Sequence, residues 1–270
     1  NTDASPSELA THWEAAGEAE RAGRAHARAA RCGAAVGDVD AVGRHVARAL
    51  ALSADPWVRW DALVARDDVL QLTADRALQR EGLDELEVIA WGPGATLVHR
   101  ATVAWRRCYV ARISAEHDLA ETQGLNAIRL ADEALDATLS VAARIEMALL
   151  RANQGRAREA QVIAQQALGF AACEGGSWIG ARARATLGYA LAEAGVLTEA
   201  SSNYRIAAEA FARAGDLRRA AVIHGNAATV LIDRGSLAEA DSQLRAAIEA
   251  AQRVGNRAAM AISQHNLGVV

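Results

Sequence analysis

A fixed period of about 40 residues, within the range typical of repeat proteins, runs through the C-terminal half of the chain. Moving this half along itself by one period places Gly155 on Gly195 and Gly235, and alanine columns repeat with the same spacing. A constant period of this kind indicates that each repeat is one small supersecondary unit that stacks on the next. A second glycine column lies half a period after the first, at Gly175, Gly215 and Gly255.

The two glycine columns predict where helices end. Glycine lacks a Cβ atom, so it readily adopts the left-handed conformation that commonly follows a helix C-terminus. Asp216 and Asn256 come next and are predicted to cap one helix, while Thr198 or Ser236 can cap the other. Ser236 and Glu239 also have the spacing of a capping box. Each repeat is therefore predicted to be a hairpin of two helices of about 17–19 residues.

The alanine columns predict how the helices pack. Ala200 and Ala207, like Ala240 and Ala247, lie seven residues apart on one face of the second helix of a hairpin. Small residues there allow antiparallel helices to approach to about 8 Å, the short end of the usual range. Larger side chains are predicted to fill the seams, namely Leu187, Leu191, Tyr204, Phe211, Leu231 and Leu244.

This pattern resembles the tetratricopeptide repeat (TPR). The resemblance covers residues 139–270 and implies an all-α, right-handed α-solenoid of antiparallel helical hairpins. The chain departs from the family in its longer period, since the family repeats about every 34 residues. It also lacks the large aromatic early in the first helix and the closing proline. The residues that carry the resemblance are Leu187-Gly188, Ala200, Tyr204, Ala207 and Asn266-Leu267-Gly268.

The N-terminal half is less regular. Two domains are predicted, degenerate helical hairpins over residues 1–138 and TPR-like repeats of period 40 over residues 139–270, the last repeat being truncated. The turn at Gly92–Gly94 is the predicted flexible point or subdomain boundary, because proline and glycine interrupt helices there. The predicted helices of this half span residues 6–16, 18–35, 38–52, 56–73, 75–91, 95–113 and 116–136.

The first residues show a second resemblance. His12-Trp13-Glu-Ala-Ala-Gly17, followed by Ala22, is similar to the segment that begins the helical-repeat region of large bacterial signalling ATPases. That group includes LuxR-type, maltose-activator-like transcriptional regulators. The resemblance implies that the array contacts an ATPase core of the same protein, and the apolar Val269-Val270 end fits a fragment of such a chain.

The composition excludes several activities. All 29 basic residues are arginine, so phosphate-binding P-loops, kinase phosphate clamps and Schiff-base chemistry, which need lysine, are not completed by this chain. A net charge of −4 argues against direct nucleic-acid binding, because domains that bind nucleic acid usually carry an excess of basic residues. No apolar run is long enough for a membrane span. The distant cysteines Cys32, Cys108 and Cys173 favour a reducing, cytoplasmic setting.

Three local motifs are interpreted as structural. Gly92-Pro93-Gly94 lacks the lysine of a phosphate loop and is predicted to be a plain turn. Adjacent residues on a helix point in different directions, so Glu116-His117-Asp118 is interpreted as a solvated helix start. Arg21, Arg24, Arg28 and Arg31 form a basic stripe, which is interpreted as a solvated face, the alternative being a dock for an acidic partner or DNA.

No catalytic, cofactor or metal site is predicted. His224 and His265 lie at nearly equivalent places in adjacent repeats, but a metal site would need further ligands. No serine or cysteine lies in a recognisable nucleophile motif.

Function is therefore expected in the concave groove of the array. Asn226 and Asn266 fall where the family often has an asparagine that contacts a partner's backbone, and the equal alternative is that they tie neighbouring helices together. The lysine-containing carboxylate clamp of the family is impossible here. The groove residues implied by the TPR resemblance are Asn153, Arg182, Tyr189, Glu193, Asn226, Thr229, Asp233 and Asn266.

The sequence as a whole predicts a bacterial, non-enzymatic sensor or protein-interaction array within a larger signalling ATPase or transcriptional regulator. Its expected ligand is a protein or peptide segment, or a small-molecule inducer, bound in the groove. The alternative is a free-standing scaffold that bridges two protein partners.

Overall fold

The computed structural model describes residues 4–172 and 178–270. In these ranges the chain forms fourteen α-helices and no strand, so the predicted all-α class is confirmed. It divides into two compact units, unit 1 (Asn1–Val110) and unit 2 (Ala111–Val270). The helices are α1 (Pro6–Ala15), α2 (Ala19–Val36), α3 (Val39–Leu52), α4 (Pro56–Thr73), α5 (Arg76–Ala90), α6 (Leu97–Ile113), α7 (His117–Glu133), α8 (Ala137–Asn153), α9 (Ala157–Ala172), α10 (Trp178–Glu193), α11 (Leu197–Arg213), α12 (Leu217–Asp233), α13 (Leu237–Arg253) and α14 (Arg257–Leu267).

Unit 1 contains α1–α5 and most of α6, while α7 belongs to unit 2. The seven helices predicted for the N-terminal half agree with α1–α7 to within about three residues at each end. Local signals explain the agreement, since Pro56 opens α4 and the side chains of Asp38, Asp55 and Asp75 accept hydrogen bonds from the first turns of α3, α4 and α5. The domain boundary at residues 138 and 139 stays a prediction.

The basic stripe of α2 is a solvated face. The side chains of Arg21 and Arg31 are 61% and 59% exposed, and Arg31 pairs with Asp61 at 2.7 Å. An exposed ion pair of this kind contributes little to stability because water and salt screen it. The buried charges of unit 1 lie elsewhere, where the Arg106 guanidinium contacts the Asp67 carboxylate.

Unit 2 repeats one backbone turn at regular intervals along the chain. Gly155, Gly195 and Gly235 all have positive φ angles, between 72° and 79°, as predicted. Ala115 and Leu135 adopt the same left-handed conformation, with φ of 59° and 54°. The periodic turn therefore begins earlier in the chain than the glycine columns do. In the second column Gly215 and Gly255 are also left-handed, and Gly175 lies outside the described residues.

The predicted helix caps are only partly correct. Asp216 and Asn256 cap α12 and α14 through their side chains, as expected. The capping box at Ser236 is wrong, because Arg234 Nε donates to Ser236 Oγ at 2.9 Å and leaves α13 without a side-chain cap. Thr198 lies inside α11 and does not cap it. A nearby guanidinium thus competes for the serine oxygen, which the spacing alone cannot reveal.

The alanine seams are formed as predicted. Ala200, Ala207, Ala240 and Ala247 are all fully buried, and consecutive helices from α7 to α14 pack on one another. Gly188 allows a close approach at the seam between α10 and α11, since a Cβ atom there would lie 3.0 Å from Tyr204 Cδ1. Unit 2 is therefore an α-solenoid of helical hairpins, in which α8, α10, α12 and α14 are the first helices.

Candidate functional site

A cavity of about 350 Å³ lies in unit 2, mainly among the first helices of successive hairpins, and we call it the tyrosine cavity. Residues of α8, α10, α11 and α12 line it, together with the last turn of α6. Its apolar walls are Leu149, Ala185 and Ile223. Its polar lining consists of Arg112, Asn153, Thr186, Tyr189, Tyr204 and Asn226.

Three of the eight predicted groove residues meet in the tyrosine cavity. Asn153, Tyr189 and Asn226 come from α8, α10 and α12, so each successive hairpin supplies one polar side chain. Both asparagines are exposed and Tyr189 is half-buried. The regular stacking of hairpins brings these distant parts of the sequence onto one surface.

The two asparagine amides of the cavity have unused hydrogen-bonding capacity. Within residues 4–172 and 178–270, neither Asn153 nor Asn226 makes a side-chain hydrogen bond. The same holds for the half-buried Asn266 on α14, so the alternative that Asn226 and Asn266 tie neighbouring helices together has no hydrogen bond to support it in the described chain. Each amide keeps one acceptor oxygen and two N–H donors for another molecule.

A buried ion pair lies next to the cavity. Glu146 of α8 is 1% exposed, and its Oε2 accepts hydrogen bonds from Arg112 Nε and Nη2 at 2.9 and 2.8 Å. Arg182 Nη2 of α10 lies 3.3 Å from the other carboxylate oxygen. Burial lowers the pKa of the Arg182 guanidinium, whereas the nearby Glu146 carboxylate raises it. The predicted groove residue Arg182 therefore binds within the protein and does not line the cavity.

Arg182 also belongs to an aromatic cluster at the start of α10. Its guanidinium carbon lies 5.3 Å from the centre of the Trp178 ring, and that of Arg219 lies 4.7 Å from it. The indole N–H of Trp178 donates to Asp216 at 3.0 Å. These contacts hold both arginines against the indole ring of Trp178.

The other four predicted residues lie outside the cavity lining. Glu193 and Asp233 are exposed at the last positions of α10 and α12. Thr229 Oγ1 donates to the carbonyl oxygen of Gly225 at 3.2 Å, so this hydroxyl is used inside its own helix. Asn266 lies on α14, beyond the hairpins that form the cavity.

Sequence reasoning missed three polar residues of the cavity, Arg112, Thr186 and Tyr204. Tyr204 was predicted only to fill a seam, and its ring does so with 3% exposure. The available signal was its hydroxyl, because a buried tyrosine normally needs a hydrogen-bond partner that a phenylalanine does not. The repeat spacing alone did not show that this residue lines the groove.

The two tyrosine side chains are partly desolvated and lie near both the Glu193 carboxylate and, for Tyr189, the Arg112 guanidinium. Burial raises the pKa of Tyr189, the Glu193 carboxylate raises it further, and Arg112 opposes them. Burial and the neighbouring Tyr189 and Glu193 raise the pKa of Tyr204 more strongly. Both phenols therefore remain protonated at neutral pH and act as neutral hydrogen-bonding groups.

The described residues contain neither a cluster of metal-ligating side chains nor a helix able to span a membrane. His224 Nδ1 lies 2.8 Å from Gln243 Oε1 rather than facing His265. The described chain contains no group of three or more histidine, cysteine or acidic residues able to hold a metal ion. None of its described helices combines the length and apolarity required to cross a lipid bilayer. Cys32 is exposed and Cys108 buried, while Cys173 lies outside the described residues.

Comparison with known proteins identifies the fold. No protein-family model matches the chain, and no curated protein sequence does. A Rap protein in complex with Competence and Sporulation Factor matches with a TM-score of 0.69 and 13% identity, over 82% of this chain and 61% of that one. The fold is a TPR-like helical-repeat array.

Two further structures share this TPR-like array. NprR in complex with its cognate peptide NprX matches with a TM-score of 0.62 and 17% identity, over 96% of this chain and 75% of that one. BtubC (BKLC) from P. vanneervenii matches with a TM-score of 0.61 and 18% identity, over 73% of this chain and 82% of that one. At these identities the likeness concerns the fold alone.

Proposed function

We propose that this TPR-like array is a non-enzymatic module that binds a peptide segment of a partner at the tyrosine cavity. The observation that carries the proposal is the meeting of Asn153, Tyr189 and Asn226, from three successive hairpins, around one cavity with unused amide groups. An extended peptide presents N–H and C=O groups that carboxamide side chains can pair with. The structure of NprR with its peptide supports the proposal by fold.

The charges at the cavity also suit a peptide backbone. Arg112, the charged residue in the lining, already pairs with the buried Glu146 carboxylate. The lining therefore presents mainly neutral donors and acceptors beside apolar walls. A site of this kind favours uncharged polar groups, because a ligand charge would lose its hydration without gaining a free counter-charge.

The test is selection of heptapeptides from a random display library, followed by affinity measurement on two variants. Asn153→Ala/Asn226→Ala should weaken the selected peptides about tenfold or more, since two hydrogen bonds are lost. Gln165→Ala is the matched control, because this exposed amide lies on α9, away from the cavity lining. Peptides that bind the double variant as tightly as the wild type would place the site elsewhere.

We further propose that the array is a cytoplasmic arm of a larger bacterial signalling ATPase or transcriptional regulator. The support is the resemblance of His12-Trp13 through Gly17 to the start of such repeat regions. A bound peptide or small inducer would act by favouring one of two docked arrangements on the ATPase core, which requires different affinities for the two. The output domain, and not this array, would contact DNA.

The native mass of the protein tests this second proposal. An antibody raised against the array, used on lysate of the source cells, should detect a band several times heavier than 28.4 kDa. A band at 28.4 kDa would instead favour the alternative, a free-standing scaffold that bridges two proteins.

A further inference from the structure

Tyr204 combines a packing role with access to the cavity. It lies on α11, the second helix of its hairpin, and is 3% exposed. Its ring packs beside Gly188, where even a single Cβ atom would approach Tyr204 Cδ1 to 3.0 Å. Tyr204 nevertheless lines the tyrosine cavity. A side chain of a second helix therefore extends between the first helices to the cavity.

The hydroxyl of Tyr204 has no hydrogen-bond partner in the part of the chain that the structure describes. The ring is buried, but the oxygen is not among the fully buried polar atoms without a partner, so it is open to the cavity and to the water that fills it. The side chains of Tyr189 and Glu193 lie near it but make no hydrogen bond with it. Its free donor and acceptor are therefore directed at whatever fills the cavity.

The same position carries no hydroxyl in the adjacent hairpins. Counting one repeat period back and forward from Tyr204 gives Ala164 on α9 and Leu244 on α13, both fully buried. Phenylalanine would fill the seam as well as tyrosine does, so packing alone does not account for the hydroxyl. Of these three equivalent residues, the one that carries a hydroxyl is the one that lines the cavity.

We propose that Tyr204 determines which side chain the cavity accepts, and that the preferred side chain has an apolar body and a terminal hydrogen-bonding group, as tyrosine has. The apolar walls Leu149, Ala185 and Ile223 contact the body of that side chain, and the Tyr204 hydroxyl pairs with its end. This inference rests on the proposed peptide-binding function, whose asparagines hold the backbone of the same segment.

The experiment uses two small probes that differ by one hydroxyl, N-acetyl-tyrosinamide and N-acetyl-phenylalaninamide. Dissociation constants are measured by NMR titration of the full chain. The wild type should bind the tyrosine probe about threefold to tenfold more tightly, the range expected for one hydrogen bond. Tyr204→Phe should abolish or reverse this preference, and because the hydroxyl is unpaired the variant should melt at the same temperature.

Tyr109→Phe is the matched control, since it removes the hydroxyl of a tyrosine that does not line the cavity. It should keep the preference for the tyrosine probe. If Tyr204→Phe keeps the preference, or Tyr109→Phe loses it as well, the proposal is overturned. Contacts in the wild type give a check that needs no variant, because the probe ring should show nuclear Overhauser effects to the methyl groups of Ala185 and Ile223.

The outcomes separate this inference from the proposed function. Equal affinity of the two probes for the wild type, or no binding of either, overturns the role of Tyr204. The peptide-binding function is tested separately, by the affinity of the library peptides for the wild type and for the Asn153→Ala/Asn226→Ala variant.

Discussion

The turns that follow α6 and α7 and the later turns of unit 2 share one backbone conformation but use different residues. After α6 and α7 the left-handed residues are Ala115 and Leu135, whereas Gly195 and Gly235 take this position later. The hydrogen bonds are alike, since the N–H of the residue after the turn reaches back five positions to a carbonyl, at 3.0 Å for Asp136 and 2.9 Å for the residue after Gly195. Glycine lowers the cost of the turn but is not required for it.

The interiors of the two regions differ as well. In α8, Arg144, Glu146 and Arg151 are all buried and form ion pairs. One repeat period later, Thr186 and Leu191 stand in place of Glu146 and Arg151, while Arg184 keeps an arginine in place of Arg144. The same backbone geometry therefore accommodates a buried, paired carboxylate in α8 and a threonine at the matching place in α10.

The largest effect should come from the buried carboxylate. Glu146→Gln leaves Arg112 and Arg182 without their counter-charge, and breaking a buried pair of this kind costs about 3–5 kcal/mol. Thr186→Val at the equivalent place removes only a hydroxyl that bonds within its helix, at 3.0 Å, and should cost about 1 kcal/mol. Urea unfolding measures both values. Similar losses would remove the distinction between the two interiors.

The next effect concerns the close approach at Gly188. Gly188→Ala places a Cβ 3.0 Å from Tyr204 Cδ1 and 3.3 Å from the Ala200 carbonyl oxygen, so overpacking should cost about 1–3 kcal/mol. Gly169→Ala is the control, because no atom lies within 4 Å of its Cβ position and alanine favours helix by about 0.5–1 kcal/mol. Thermal melting of both variants should shift in opposite directions.

Turn substitutions should change stability with opposite signs in the two regions. Leu135 is 91% exposed and has a φ of 54°, so Leu135→Gly should relieve strain and stabilise the protein by about 1 kcal/mol. Gly195→Ala, at φ 76°, should destabilise it by a similar amount. Differential scanning calorimetry distinguishes them. A loss of stability in Leu135→Gly would mean that the leucine side chain stabilises the turn.

The smallest effect is a pH dependence of stability that arises at the contact between α7 and α8. A hydrogen bond from Arg144 holds the pKa of Asp132 below its ordinary value, burial opposes this, and Ser140 assists it. A carboxyl with a depressed folded pKa stabilises the fold above its unfolded value, and this contribution is lost as pH falls below about 4. Asp132→Asn should therefore reduce the fall in the free energy of unfolding as the pH is lowered through the acid range, as measured by urea unfolding at a series of pH values.

Much of the fold was predictable because its signals are local. Proline at the start of α4, aspartate caps and glycine turns each act within a few residues, so the helix bounds of both units followed from short segments. The cap at Ser236 was not predictable, because Arg234 takes its oxygen. The turns at Ala115 and Leu135 were missed as repeat markers, since their hydrogen bonds and not their side chains impose the conformation.

The candidate site was predictable only in part. The repeat register placed Asn153, Tyr189 and Asn226 on the first helices of successive hairpins, but they lie 36 and 37 residues apart and so take different positions in those helices. It did not reveal that Arg182 pairs with Glu146, since that contact depends on the spacing between α8 and α10.

The sequence by itself determined the helices, their turns and the alanine seams of this protein. These features arise from backbone conformation and side-chain size within one or two helices. Only the tertiary structure decided which polar groups remain unpaired, above all the hydroxyl of Tyr204 and the amides of Asn153 and Asn226. Hydrogen bonding requires positions correct to a few tenths of an ångström, and packing between separate hairpins sets those positions.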